Sequence, residues 1–142
     1  MNKEAQAMIE AIQQNELEAA VQLFKQSVEQ SVLENNSADL AELAETMHAL
    51  GFLSEAKEAY GALNYLAPQI QEWNIALAEI AIDEDDYDQA LDILLTIDKE
   101  SDVYPQALLT MADAYQVQGL YEVSEKKILE AMALLPDEPI LD

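Results

Sequence analysis

Carboxylates are the most abundant of the side chains in this sequence that could act in catalysis or bind a metal ion. It holds 29 Asp and Glu against six Lys, with no Arg, no Cys and a single His, and its formal net charge is -23. A zinc site needs several His or Cys ligands, and neither residue type is available in number. A serine nucleophile would have to use His48 with a residue such as Ser37 or Ser54, and no G-x-S-x-G turn surrounds either serine. The sequence therefore predicts no enzyme, no cofactor and no metal site.

The densest run of carboxylates extends from Asp83 to Asp88 and raises the question of calcium. An EF-hand loop needs Gly at its sixth position and Glu at its twelfth. Counted from Asp83, those positions hold Asp88 and Leu94. An acidic turn between two helices explains the run better than a calcium site does.

The charge balance also limits the partners. Binding to nucleic acid needs clustered Lys and Arg, and an anionic membrane surface would repel this chain, so neither partner is expected. A basic protein or peptide would be attracted, although the charge could also serve solubility alone. The absence of Cys fits a reducing compartment, and neither a signal-peptide core nor a run of about 20 apolar residues is present. The predicted location is the cytoplasm.

The elements that would position these side chains repeat along the sequence. Gly51 and Gly119 are 68 residues apart, which is twice 34, and Asp85 stands midway between them. Apolar or small residues recur at the same period on both sides of this turn position. The aligned columns are Leu43, Leu77 and Met111; Ala44, Ala78 and Ala112; Leu53, Tyr87 and Tyr121; Ala56, Ala90 and Ser124; Tyr60, Leu94 and Ile128; and Leu63, Ile97 and Ala131. The spacing predicts three successive helix–turn–helix units.

Each column has a physical reason. Large apolar residues at helical spacing form the buried stripe of a helix. The two columns of Ala and Ser allow helix backbones to approach closely, because a larger side chain would wedge them apart. Gly at the turn permits the positive φ that a helix cap requires, and Asp85 can adopt the same conformation at modest cost.

A fourth, less regular unit precedes these three. Asn15 stands at its turn position, followed by Leu17, Ala20 and Phe24 at the matching offsets, and residues 35–37 offer turn and N-cap chemistry. We predict helices over residues 3–14, 17–34, 38–50, 53–66, 70–82, 87–98, 104–118 and 121–134. Trp73 and most Tyr are expected in packing, with Tyr65 and Tyr104 as the candidates for exposed contacts.

The 34-residue pattern resembles the tetratricopeptide repeat (TPR) family. The small-residue, turn, aromatic and closing-proline positions of the motif hold Ala44, Gly51, Ala56, Tyr60 and Pro68, and in a later unit Ala112, Gly119, Ser124, Ile128 and Pro136. Trp73 lies one residue from its family position, and residues 71–104 contain neither Gly nor Pro. The resemblance implies an all-α fold, a right-handed α-solenoid of about four helix–turn–helix repeats, with the first helices lining its concave face.

The predicted organisation is a single solenoid domain over residues 1–142. Its repeats are expected at about 1–36, 37–70, 71–104 and 105–138, with residues 139–142 as a tail or the start of a further repeat. Solenoids usually end in a polar capping helix, and the sequence shows none. We therefore expect either the N-terminal part of a longer bacterial-type TPR protein or an open end that self-associates with a second copy.

The resemblance also implies a groove that binds a partner, lined by the first helices. Glu45, Glu79 and Asp113 share one column and would form an acidic ladder along it. The full predicted set is Ile9, Ile12, Glu45, His48, Glu72, Ile75, Glu79, Ile82, Asp83, Leu109, Asp113 and Gln116. An acidic groove with an aliphatic floor suits a basic peptide or protein segment with apolar anchors. The alternative is a solvated helix face without a partner.

The predicted function is that of a protein–protein interaction scaffold or adaptor. Some TPR modules bind a carboxylate through basic side chains, and this activity is not expected here because Arg is absent and acids occupy the matching face. Two alternatives remain. The chain could be a TPR-type chaperone that shields an aggregation-prone client, or the non-catalytic arm of a larger enzyme or regulator.

Overall fold

The structure is a computed structural model that describes residues 3–135, and the side chains of all of these except residues 4 and 5. Within this range the chain forms eight α-helices and no strand. The helices are α1 (Lys3–Gln13), α2 (Leu17–Leu33), α3 (Ser37–Ala49), α4 (Leu53–Leu66), α5 (Glu72–Asp83), α6 (Tyr87–Leu95), α7 (Tyr104–Val117) and α8 (Tyr121–Leu134). The predicted all-α class is confirmed. The expectations for Pro136 and residues 137–142 lie outside the described residues.

The observed helix bounds lie within two residues of the predicted ones, except at the end of α6. This helix ends at Leu95 and not at residue 98. Local hydrogen bonds compete with the helix there, since the Thr96 hydroxyl donates to the Ile93 carbonyl at 2.6 Å and the Asp98 carboxylate accepts from the Glu100 amide at 3.0 Å.

The turn inside each helix pair has the same hydrogen-bonded cap. A residue with positive φ follows the first helix of each pair: Asn15 (61°), Gly51 (85°), Asp85 (62°) and Gly119 (80°). The next amide then donates to a carbonyl five residues back, as from Phe52 to Met47 at 2.9 Å and from Asp86 to Ala81 at 2.8 Å. This is the Schellman bond that closes many helices. The predicted left-handed turn residues are confirmed in all four pairs.

Short polar side chains form the N-caps of α3 and α6. Asn35 has φ 53° between α2 and α3, and the Asn36 side chain then accepts from the Asp39 amide at 3.2 Å. At the start of α6, the Asp86 carboxylate accepts from the Gln89 amide at 3.3 Å. These bonds satisfy amides that have no partner inside the helix.

The chain divides into two compact units, Met1–Trp73 (unit 1) and Asn74–Asp142 (unit 2). Unit 1 holds α1–α4 and the first residues of α5, and unit 2 holds the remainder of α5 with α6–α8. Large side chains that are almost fully buried form the interior of unit 1: Met8, Phe24, Leu40, Leu43, Met47 and Leu63. The core of unit 2 consists of Ile75, Ala78, Ala81, Ala90, Leu94, Ile97, Ala107, Leu108, Met111 and Ala131.

Small residues bring the paired helices close together. Ser124 in α8 is buried, and its hydroxyl donates to the Ala112 carbonyl of α7 at 2.9 Å. Such a bond between a side chain and the facing backbone is possible only where two helices approach closely. In unit 1, Ala44 and Ala56 occupy the same columns and are completely buried. The predicted role of the small-residue columns is confirmed.

Candidate interaction surfaces

The acidic column consists of Glu45 in α3, Glu79 in α5 and Asp113 in α7. Each carboxylate directly follows a buried alanine of its helix, so it is rotated by about 100° from the packed side. Glu45 and Asp113 are exposed, and Glu79 is half-buried. The column is present at one register position of three first helices, and its continuity as a ladder stays a prediction.

In unit 1, the predicted residue His48 belongs to a row of rings. The His48 and Tyr60 rings meet edge to face with centroids 6.2 Å apart, and Tyr60 and Trp73 lie 6.1 Å apart at a tilt of 31°. His48 is half-buried, so it presents only part of its ring to a partner. The other predicted residues of this unit, besides Glu45, are the half-buried Ile9 and Ile12 and the exposed Glu72.

In unit 2, the predicted residues differ in how much surface they offer. Ile75 is only 5% exposed and packs in the core, whereas Leu109, from the same sequence column, is 39% exposed. Ile75 therefore offers almost no surface to a partner. Ile82 packs partly buried against the same core, while Asp83, Asp113 and Gln116 are exposed.

The two tyrosines expected at the surface behave differently. Tyr65 is exposed, in agreement with the prediction. The prediction for Tyr104 is wrong, because its side chain packs partly buried against the core of unit 2. Tyr104 is the first residue of α7.

The acidic run between α5 and α6 forms a turn, as predicted. Asp85 has the left-handed conformation and Asp86 caps α6. The Tyr87 hydroxyl donates to Asp85 Oδ1 at 2.9 Å. This hydrogen bond raises the pKa of Tyr87 above its usual value, with smaller contributions from desolvation and from the negative charge of Asp85. Each of these residues thus has a local structural role.

An apolar pocket in unit 1 was not predicted from the sequence. Its cavity volume is about 240 Å³, and it lies between the α1–α2 pair and the α3–α4 turn. The lining residues are Met8, Ile12, Leu17, Ala20, Val21, Phe24, Met47, Phe52 and Glu55. Ile12 is the one lining residue that also belongs to the predicted set. The sequence column of Met47 holds Ala81 in α5 and Tyr115 in α7, so it does not by itself indicate this pocket.

A second unpredicted surface lies on α8. The column that holds Phe24, Tyr60 and Leu94 in the earlier second helices is at most 4% exposed there, but Ile128 in α8 is 37% exposed. Ile128 lies among further exposed apolar side chains of the same helix and its C-cap. We call this set the α8 stripe: Tyr121, Ile128, Leu129, Met132 and Leu135.

Sequence comparisons agree with the repeated helix pairs. A family profile described as the ARM repeat of tetratricopeptide repeat protein 21 matches residues 1–119, and a second, described as YpiA-like tetratricopeptide repeats, matches residues 116–142. The chain belongs to the tetratricopeptide repeat family. The TPR repeat-containing protein YpiA of Bacillus subtilis (strain 168) is 34% identical over all 142 residues, which are 33% of its own length. The chain thus spans about a third of this curated relative.

Solved structures of the same fold come from proteins with distant sequences. A crystal structure of MamA has a TM-score of 0.66 at 18% identity and covers 96% of this chain and 76% of the MamA chain. A putative kinesin light chain with nearly identical TPR-like repeats, from Podosopora anserina, has a TM-score of 0.58 at 18% identity, with 96% and 77% covered. At this identity, the likeness establishes the fold alone.

Residues 3–135 contain neither a membrane-spanning helix nor a metal-binding cluster. No helix in this range is long and apolar enough to cross a membrane. No group of three or more His, Cys, Asp or Glu side chains in the same range is arranged to hold a metal ion.

Proposed function

We propose that this chain is a non-catalytic interaction scaffold whose first helices bind a basic protein segment with apolar anchors. Membership of a family of repeat scaffolds supports the interaction role, because such repeats form extended binding surfaces. One observation supports the acidic part of the proposal. A carboxylate recurs at the same register position of α3, α5 and α7, and it is exposed in two of these helices.

The expected contribution of these carboxylates follows from the strength of exposed ion pairs. Each such pair is worth about 0.2–1 kcal/mol. Loss of three charges should therefore weaken the binding of a basic ligand by roughly tenfold at low salt. At an ionic strength of about 0.5 M the difference should shrink severalfold, because exposed charges are then strongly screened. Apolar anchors of the ligand would supply the part of the affinity that survives salt.

A labelled peptide of about 15 residues, with Lys and Leu at helical spacing, provides the test. Its dissociation constant is measured for the parent chain and for a triple variant, Glu45→Gln, Glu79→Gln and Asp113→Asn. A matched control removes three exposed carboxylates of the second helices, Glu29→Gln, Glu58→Gln and Glu122→Gln. We expect roughly tenfold weaker binding for the first variant and less than twofold for the control. Equal losses in both would show that net charge alone attracts the peptide, which contradicts the proposal.

We also propose that the α8 stripe mediates self-association of two copies of the chain. The chain carries a strong negative charge that opposes self-association, but α8 holds Lys126 and Lys127 beside Glu122, Glu125 and Glu130. Lys127 already lies 3.7 Å from Glu130 within the helix. Two antiparallel α8 helices could therefore pair opposite charges along an apolar seam.

Light scattering of the chain after size-exclusion chromatography tests this second proposal. The proposal predicts a dimer at high micromolar concentration, which Leu129→Glu converts to a monomer because it places a charge in the seam. Leu33→Glu in α2 changes another exposed leucine in the same way and should leave the dimer intact. A parent chain that stays monomeric at every concentration would overturn self-association.

A further inference from the structure

The pocket of unit 1 combines a buried floor with an accessible rim. Met8, Phe24 and Met47 form the floor and are each 1% exposed, whereas Leu17 and Val21 at the rim are 49% and 40% exposed. The floor is therefore part of the folded core, and the rim side chains can be reached from solvent. A cavity of about 240 Å³ is smaller than the roughly 300–1,000 Å³ of sites that take whole small molecules. Its size suits one bulky side chain.

The equivalent positions in unit 2 hold different residues. Met47 lies four residues before Gly51, and Tyr115 lies four residues before Gly119. The Tyr115 ring packs against the core of unit 2. An unbranched Met therefore occupies, in unit 1, the position that the Tyr115 ring fills in α7, whereas the same position of α5 holds the buried Ala81. The rim differs too, because Glu55 corresponds to Val123 four residues after the turn.

Glu55 gives the pocket its charge preference. It is the single charged residue of the lining, and within residues 3–135 its carboxylate has neither an ion pair nor a side-chain hydrogen bond. Unit 1 as a whole contains 12 acidic residues and three Lys. A ligand that places an apolar group in this pocket should therefore carry a cation beside it, and an anionic ligand such as a fatty acid would be repelled.

We propose that this pocket of unit 1 binds a single bulky apolar side chain of a partner protein, flanked by Lys or Arg. The floor of Met8, Phe24 and Met47 would bury the side chain, and Glu55 would pair with the neighbouring cation. The site is separate from the acidic column, which contributes no residue to its lining. It can therefore be tested independently of the scaffold function.

The methionine methyl groups offer a direct test on the whole chain. Of its five Met, Met8 and Met47 line the pocket, Met111 is buried in unit 2 and Met132 is exposed on α8. The probe is a pentapeptide with Phe between two Lys, titrated against protein labelled with carbon-13 at the Met methyls. We expect saturable shifts of the Met8 and Met47 signals, with Met111 and Met132 unmoved. Equal shifts of Met132 would indicate unspecific apolar binding and overturn the proposal.

Variants of the peptide and of the protein separate the contribution of the apolar side chain from that of the flanking cations. Replacing the Phe of the probe by Ala should weaken binding at least tenfold, because most of the buried apolar area is lost. Replacing both Lys by Glu should abolish the shifts at low salt. Val21→Lys, a change at an exposed rim position, should weaken binding of the Phe probe at least tenfold, while the fluorescence of Trp73 confirms that unit 1 is folded. Binding that is unchanged in this variant would refute the assignment.

Two further variants test the role of Glu55 and the independence of the pocket from the acidic column. Glu55→Gln should reduce affinity for the Lys-flanked probe severalfold and leave a probe with Gly in place of both Lys unaffected. The triple variant of the acidic column should keep the Met8 and Met47 shifts, so failure of the scaffold proposal and failure of the pocket proposal are distinguishable. Loss of the shifts in that triple variant would show that the pocket is not an independent site.

Discussion

The same substitution should have opposite effects at two glycines of unit 1. Gly51 has φ 85° in the turn between α3 and α4, whereas Gly61 lies inside α4. A Cβ added at either position meets nothing within 4 Å, so neither Gly51→Ala nor Gly61→Ala introduces a clash. The difference between the two variants therefore comes from backbone conformation alone.

The magnitudes follow from that conformation. A left-handed conformation costs an L-residue about 1–2 kcal/mol, and Ala recovers part of this cost by restricting the unfolded chain. Gly51→Ala should thus lower the free energy of unfolding by about 1 kcal/mol. Gly61→Ala should raise it by about 0.5–1 kcal/mol, because Ala is favoured over Gly inside a helix. The two variants should therefore differ by about 1.5–2 kcal/mol.

Urea unfolding followed by fluorescence of Trp73 measures this difference. Trp73 is the one Trp of the sequence and lies beside Tyr60 of α4, so its emission reports on unit 1. The midpoint should move down for Gly51→Ala and up for Gly61→Ala, with an unchanged slope. Gly51→Asn should fall between the parent and Gly51→Ala, since Asn tolerates this conformation at two other helix ends of the chain, Asn15 and Asn35. If Gly51→Ala left the midpoint unchanged, the left-handed turn would be refuted.

Two other predictions concern unit 2. Ser124→Leu should lower the free energy of unfolding by about 1–3 kcal/mol, because the larger side chain overpacks against α7. Ser124→Ala should lower it by only about 0.5–1.5 kcal/mol, because one buried hydrogen bond is lost. Urea unfolding followed by circular dichroism measures both changes, and midpoints equal to that of the parent would contradict the prediction. Asp85→Asn should lower the pKa of Tyr87 toward its usual value of 10.0, because the acceptor loses its charge. A spectrophotometric titration against the parent chain would show no difference if the hydrogen bond were absent in solution.

The helix caps and the small-residue columns could be predicted because both depend on features that are visible in the sequence. A positive φ at Gly51 or Asp85 depends on a cap formed by the adjacent turn, and the small-residue columns depend on a period of 34 residues that is legible in the sequence. The early end of α6 was missed because two side chains, Thr96 and Asp98, offer the backbone alternative hydrogen bonds that an apolar period does not reveal.

Only part of the candidate site could be predicted from the sequence. A carboxylate that follows a buried alanine can be placed beside the packed face of its helix from helical geometry alone, which is why the register of Glu45, Glu79 and Asp113 was predicted. The unit 1 pocket requires knowledge of how α1, α2 and the next turn pack together. Its lining is drawn from residues 8–55, and no short motif connects them.

The helices and their caps follow from the amino-acid sequence alone, because they depend on interactions between near neighbours in the chain, and the column spacing can be read from it directly. Which apolar residues are covered depends on how the helices pack. Ile75 and Leu109 share one column, yet the first is buried and the second exposed. Likewise, Leu94 is buried in the core of unit 2, whereas Ile128 stands at the same register of α8 and is exposed. The burial of a side chain depends on which residues pack against it. A repeated sequence pattern places the same kind of side chain at each register position, whatever packs there.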